Sequence, residues 1–224
     1  MFDMPAVVAE GFQQLDLGQL GSAVEDYAPA IEVVKKTWDK ESLLSILQGH
    51  IDVPDETINE ALAARIDENS PVNSLTITSR ENGRMDILAD TKKLGRVELS
   101  GTVDAFVHDG ASSYMTYTVK ERALKDHGLL SWFFSRISLS MAEKLVGHLD
   151  LGDDLPTTVK GNSVTVDYAQ ILQESDLGRT SIAGCNLLDA LKIKSAEPHE
   201  GYVTFQTALD VPDGVRSILL NILQ

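Results

Sequence analysis

The chain has 224 residues, 43% of them apolar and 24% charged, which suits one large folded domain or two small ones. Lys and Arg number 19 against 34 Asp and Glu, a formal net charge of −15. Such a chain is repelled by nucleic-acid phosphates and anionic membranes, and its single cysteine, Cys185, excludes an internal disulfide and a cysteine-based metal cluster.

The N-terminal MFDMPAVVAEGF has neither a basic flank nor a long apolar run, so no secretory signal is read here and the expected compartment is the cytoplasm. Residues 1 to 48 read as helices. Val8, Phe12 and Leu15 make a stripe, and Ser22 with Glu25 has capping-box spacing. Pro29 suits the first turn of a helix carrying Ile31, Val34 and Trp38. Asp39 is the next N-cap, Trp38 and Leu43 are spaced as a hydrophobic staple, and Gly49 ends that helix. Ile51-Asp52-Val53 alternates as a short strand, and Pro54 opens a helix with Ile58, Leu62 and Ile66 on one face.

From Leu75 the period changes to two. Leu75 and Ile77 precede a turn at Glu81-Asn82-Gly83, and Met85 and Ile87 follow it. The clearest strand places Val97, Leu99, Gly101, Val103, Ala105 and Val107 on one face, with Phe106 out of phase. Extended, it spans about 40 Å. His108-Asp109-Gly110 is a hairpin turn, and Met115, Tyr117 and Val119 alternate on the return strand.

Residues 128 to 148 are the most apolar stretch, with Trp132, Phe133, Phe134, Ile137, Leu139 and Met141 among them. Their spacing predicts a helix about 30 Å long, apolar on nearly every side and therefore enclosed. Arg136 near its middle, with four nearby serines, predicts burial in protein rather than lipid. Beyond it, Val159, Val164 and Val166 flank a Gly161-Asn162 turn, and Asp167 is placed to cap a short helix. Residues 174 to 185 read as loop. Leu191 and Ile193 pair with Val203 and Phe205 across Glu197 to Gly201, and Val215, Ile218, Leu219, Ile222 and Leu223 form a final amphipathic helix.

The expected fold is α+β: a strongly curved antiparallel sheet wrapped around one long buried helix, with further helices at both ends. Its parts are a helical segment 1–48, a sheet-and-helix domain 49–211 and a terminal helix 212–224.

Reactive groups are sparse. Glu197-Pro198-His199-Glu200 lacks helical metal-site spacing and falls on a turn, and His108-Asp109 and Asp126-His127 lie at element ends. Asp153-Asp154 sits in a loop, Gly178-Arg179-Thr180-Ser181 lacks the glycines and lysine of a phosphate loop, and Cys185 carries no nucleophile signature. A hydrolase built on His108, Asp109 or His199 lacks the necessary constellation. No catalytic residue, metal ligand or cofactor site is assigned.

Ile51-Asp52-Val53-Pro54-Asp55-Glu56-Thr57-Ile58-Asn59-Glu60-Ala61-Leu62 resembles the opening of small bacterial members of the tubular lipid-binding (TULIP) superfamily. Lys160-Gly161-Asn162-Ser163-Val164 and Gly201-Tyr202-Val203-Thr204-Phe205 are similar to that family's closing strands. The resemblance spans roughly residues 50 to 210 and leaves segment 1–48 outside. It implies a half-barrel that binds a lipid or other amphiphile without catalysis, and an envelope location.

The resulting expectation is non-catalytic binding of a lipid or other long apolar molecule between helix and sheet. Trp132, Phe133, Phe134, Ile137 and Met141 line the cleft from the helix; Val97, Leu99, Val103, Met115 and Tyr117 line it from the sheet. The alternative is an assembly or scaffold protein with a dry core, whose terminal apolar helices are partner surfaces and can join copies of the chain. Neither reading involves nucleic acid or stable membrane insertion.

Overall fold

The computed structural model describes residues 28–110, 112–124, 136, 138–141 and 155–223. Helix α1 (Ala28–Thr37) leads into α2 (Lys40–Gln48) through a junction that the sequence specifies. Asp39 has extended backbone, and its Oδ1 accepts the Ser42 N–H at 2.7 Å. Trp38 and Leu43 are buried in one cluster, as a staple requires. Gly49, at φ 100°, closes α2 by donating its N–H to the Ile46 carbonyl, a left-handed position that costs glycine little.

Then follow β1 (His50–Pro54), α3 (Asp55–Ala63), β2 (Val72–Arg80), β3 (Arg84–Thr91), β4 (Gly95–His108) and β5 (Ser113–Leu124). After residue 155 come β6 (Thr157–Lys160), β7 (Ser163–Asp167), α4 (Ala169–Glu174), β8 (Ser181–Ile182), β9 (Cys185–Asn186) and α5 (Leu187–Ala190). Strands β10 (Leu191–His199) and β11 (Tyr202–Leu209) and helix α6 (Asp213–Ile222) complete the described chain.

Among the described residues nine strands form one antiparallel sheet in the order β1-β11-β10-β4-β5-β7-β6, with β3 and then β2 branching from β4. Strand β4 is long enough to serve two neighbours on one side. Its first half pairs with β3, from Thr91↔Gly95 to Arg84↔Thr102, and its end reaches β10 at His108↔Ile193. The branches meet again where Gly201, in the β10–β11 turn, donates its N–H to the Ser79 carbonyl at the end of β2.

Two bulges set which side chains face inward. Ser100 pairs with Glu121 but Gly101 with Val119, so Lys120 is the extra residue of β5; Val103 pairs with Tyr117 but Ala105 with Thr116, so Asp104 is the extra residue of β4. An extra residue reverses the alternation beyond it. The inner face therefore carries Val97, Leu99, Gly101 and Val103, then Phe106. Ala105 and Val107, expected beside Val103, lie on the other face.

Two apolar centres result. Helices α1, α2, α5 and α6 enclose Val34, Trp38, Leu43, Ile46, Leu187, Val215 and Leu219, together with Ile182 and Leu209. The inner sheet face encloses Met85, Tyr117, Val119, Leu139 and Val203.

The expected sheet wrapped around one long helix is corrected. Among the described residues the longest helices, α1 and α6, have ten residues, and no helix runs through the sheet. Within 128–148, Arg136 lies in a turn, and the helical residues 139–141 begin only after Ser138. The Ser138 carbonyl and hydroxyl both receive the Met141 N–H, at 3.0 and 3.3 Å, so this serine starts a helix instead of continuing one. The Leu139 N–H goes to Asn162 Oδ1 and the Ser140 N–H to the Gly161 carbonyl, which binds this turn to the β6–β7 hairpin. Trp132, Phe133, Phe134 and Ile137 lie outside the described residues, as do Val8, Phe12, Leu15, Asp126-His127 and Asp153-Asp154. No helix among the described residues is long and apolar enough to cross a membrane.

Candidate functional site: the inner face of the sheet

The register brings the five sheet residues predicted to line a cleft onto one face but divides them. Val97 is buried opposite Leu124, in a small cluster with Leu94 and Leu99. Leu99 also touches the central cluster, where Val103 stands opposite Tyr117. Tyr117 is closed off entirely: it is 2% exposed, and its hydroxyl donates to the Met85 carbonyl at 2.7 Å. Burial pushes its ionisation well above the ordinary phenol value, with Asp86 adding to the shift.

Met115 lies beyond that packed centre, opposite Phe106. The Phe106 ring sits 5.2 Å from Tyr168 and 5.2 Å from Phe205, the latter edge-on. Leu99, Val103 and Phe205 pack against the sealed middle and, like Phe106 and Met115, remain half-buried, so apolar side chains extend along the inner face around it. Phe106 and Phe205 are absent from the predicted lining. The signal for Phe106 was its misfit in the β4 alternation, which a bulge at Asp104 explains. Met141, predicted to line the cleft, is 55% exposed.

At the helical end of this face His108 is buried. Its Nε2–H donates to the Leu188 carbonyl at 2.9 Å, and its Nδ1 lies 2.8 Å from Ser113 Oγ. A Ser–His contact of this length has the reach of a nucleophile and base. Here both residues are buried, and the pair ties the β4–β5 hairpin to α5. At the opposite corner, Pro198 is buried, His199 stacks on Tyr202 at 5.0 Å, and Glu200 meets Arg80 at 3.1 Å. Cys185 is half-buried in β9. Among the described residues no group of three or more His, Cys, Asp or Glu is placed to hold a metal ion.

Two open grooves lie elsewhere. One, of about 500 Å³, crosses the outer side of β3, β4 and β5 and is strongly charged. In it Arg84 donates to Ser100 Oγ at 2.7 Å and to Glu121 at 3.2 Å, while Arg80 donates to Asp86 at 3.0 Å. Burial pushes the Asp86 carboxyl up, but hydrogen bonds from Ser100 and Arg80 outweigh it and leave the group below the usual carboxylate range. The other, of about 620 Å³, lies between α3 and the edge of β2.

The chain matches no protein-family model, no curated protein and no solved structure.

Proposed function

We propose that this chain is a non-catalytic carrier or sensor of a lipid or similar long apolar molecule, held along the inner face of the sheet around its packed centre. One observation supports the reading: the band from Leu99 through Val103 to Phe106, Met115 and Phe205 is apolar, on one face and incompletely buried. Covering such surface contributes about 25 cal/mol per Å², and binding sites for small molecules are mostly apolar with few polar groups. The nearest reactive pair, His108 and Ser113, is sealed and already hydrogen-bonded, so the band offers binding without chemistry. The net charge of −15 opposes stable docking on anionic membranes and favours exchange through solution.

The test is titration with a fluorescent fatty acid. Saturable uptake by the native chain is expected, abolished in Met115→Trp, which fills the band, and in Leu99→Arg, which charges it, with folding checked by circular dichroism. Absence of uptake, or uptake unchanged in both folded variants, contradicts the proposal. The assembly-protein reading is favoured by the centre, where Met85, Tyr117, Val119, Leu139 and Val203 fill the space themselves. On helix α6, Val215 and Leu219 are buried within the same chain, while Ile218, Ile222 and Leu223 are half-buried.

A further inference from the structure

The edge of β2 is closed over part of its length by groups that imitate a neighbouring strand. The Ile77 N–H donates to Asn59 Oδ1 at 2.7 Å, and Asn59 Nδ2 donates to the Ile77 carbonyl at 2.9 Å. A side-chain amide from α3 thus makes both bonds that a paired strand residue would make. Two residues on, the Ser79 N–H donates to Asp55 Oδ2 at 2.6 Å, and the Ser79 carbonyl accepts from Gly201.

In an antiparallel strand every second residue directs its backbone groups to the same side. The β2–β3 register is regular from Ser74 to Arg80, so Leu75 turns its N–H and carbonyl the same way as Ile77 and Ser79. No group among the described residues bonds to them on that side. They open into the 620 Å³ groove beside α3, a size within the range of ligand pockets, about 300–1,000 Å³. Ala63 and Ile66 give the groove apolar walls, while Glu56 and Glu60 are its charged lining residues, with no cation among them. Below Leu75 the edge ends at a bulge: Asn73 is the extra residue between Val72 and Ser74. Bulges of this kind blunt an edge against indiscriminate pairing. One residue of edge, walled and acidic, is left open.

We propose that this opening takes an extended, lysine-bearing peptide segment of a partner protein, which adds to β2 by pairing with the Leu75 backbone. Addition of a strand to a free edge takes its affinity from main-chain hydrogen bonds and its selectivity from side-chain pockets. Here Ala63 and Ile66 receive an apolar side chain, and Glu56 and Glu60 receive the lysines.

The probe is a labelled peptide of alternating Lys and Val, followed by fluorescence anisotropy. Saturable binding is expected. Binding should weaken by about tenfold or more when alternate peptide amides are N-methylated, or when exposed Glu60 is changed in Glu60→Lys. Hydrogen exchange supplies the local readout. The Leu75 amide should exchange fast in the free chain and slowly in the complex, whereas Ile77, already bonded to Asn59, should be slow in both. A peptide that does not saturate, binds equally well when N-methylated, or leaves Leu75 exchange unchanged overturns the proposal. The last two outcomes would identify simple attraction of a cation to an acidic chain.

Discussion

Tyr117 and Ser79 are both buried, with opposite expected consequences. The Tyr117 hydroxyl has a partner in the Met85 carbonyl. Tyr117→Phe removes this buried hydrogen bond while the Met85 carbonyl keeps its place in the β3–β4 ladder opposite Gly101, an expected loss of about 0.5–1.5 kcal/mol in chemical denaturation. Its raised ionisation also has a sign. Stability from the neutral phenol is fully present below the ordinary value of 10.0 and is lost as pH rises toward the higher folded value. The native chain should therefore lose stability on the alkaline side, and Tyr117→Phe should lose less there. Ser79 is fully buried and its Oγ has no partner among the described residues. Ser79→Ala removes an unsatisfied hydroxyl, so its melting temperature should be equal to or above that of the native chain; a clear drop would mean that the hydroxyl has a partner.

Elements whose signals are local were legible in the sequence. Asp39, Gly49, the Gly83, Gly110 and Gly161 turns, and the stripe of α6 each act over a few residues, and each element stands where those residues put it. What escaped depended on pairing partners. The bulge at Asp104 exists only in the register against β5, and it moved Phe106 inward and Ala105 outward. The strands β8 and β9 and helix α5 lie in or just after a stretch that read as loop, because two-residue strands carry no period. All-round apolarity suggested a single helix over 128–148, but it does not reveal that Ser138 starts a helical turn. Gly101 shows the same dependence. A Cβ there would stand 2.1 Å from the Thr118 carbonyl oxygen, where the β5 bulge brings the strands close. Gly101→Ala is expected to lower stability by about 1–3 kcal/mol or more, measured by urea unfolding, because backbone has to move.

For the whole molecule, acid is the informative stress. Asp39 is held below its ordinary value of 3.8 by the Ser42 N–H, Asp67 by the Ser70 hydroxyl, and Asp86 by Ser100 and Arg80 against the opposing effect of burial. Each depressed carboxyl contributes stability that is present above 3.8 and lost as pH falls through its lower folded value. The melting temperature should accordingly fall below pH 4, and Asp86→Asn should flatten part of that decline.

The same molecule has a sealed centre and an unsealed apolar band, and this contrast separates a carrier from an assembly protein with a dry core. Native mass spectrometry of freshly purified protein, followed by solvent extraction, reads the difference directly. The account predicts a bound apolar molecule of several hundred daltons, released by the solvent and absent from Met115→Trp. A bare polypeptide mass in the native chain, with nothing recovered in the extract and no fatty acid taken up afterwards, would contradict it.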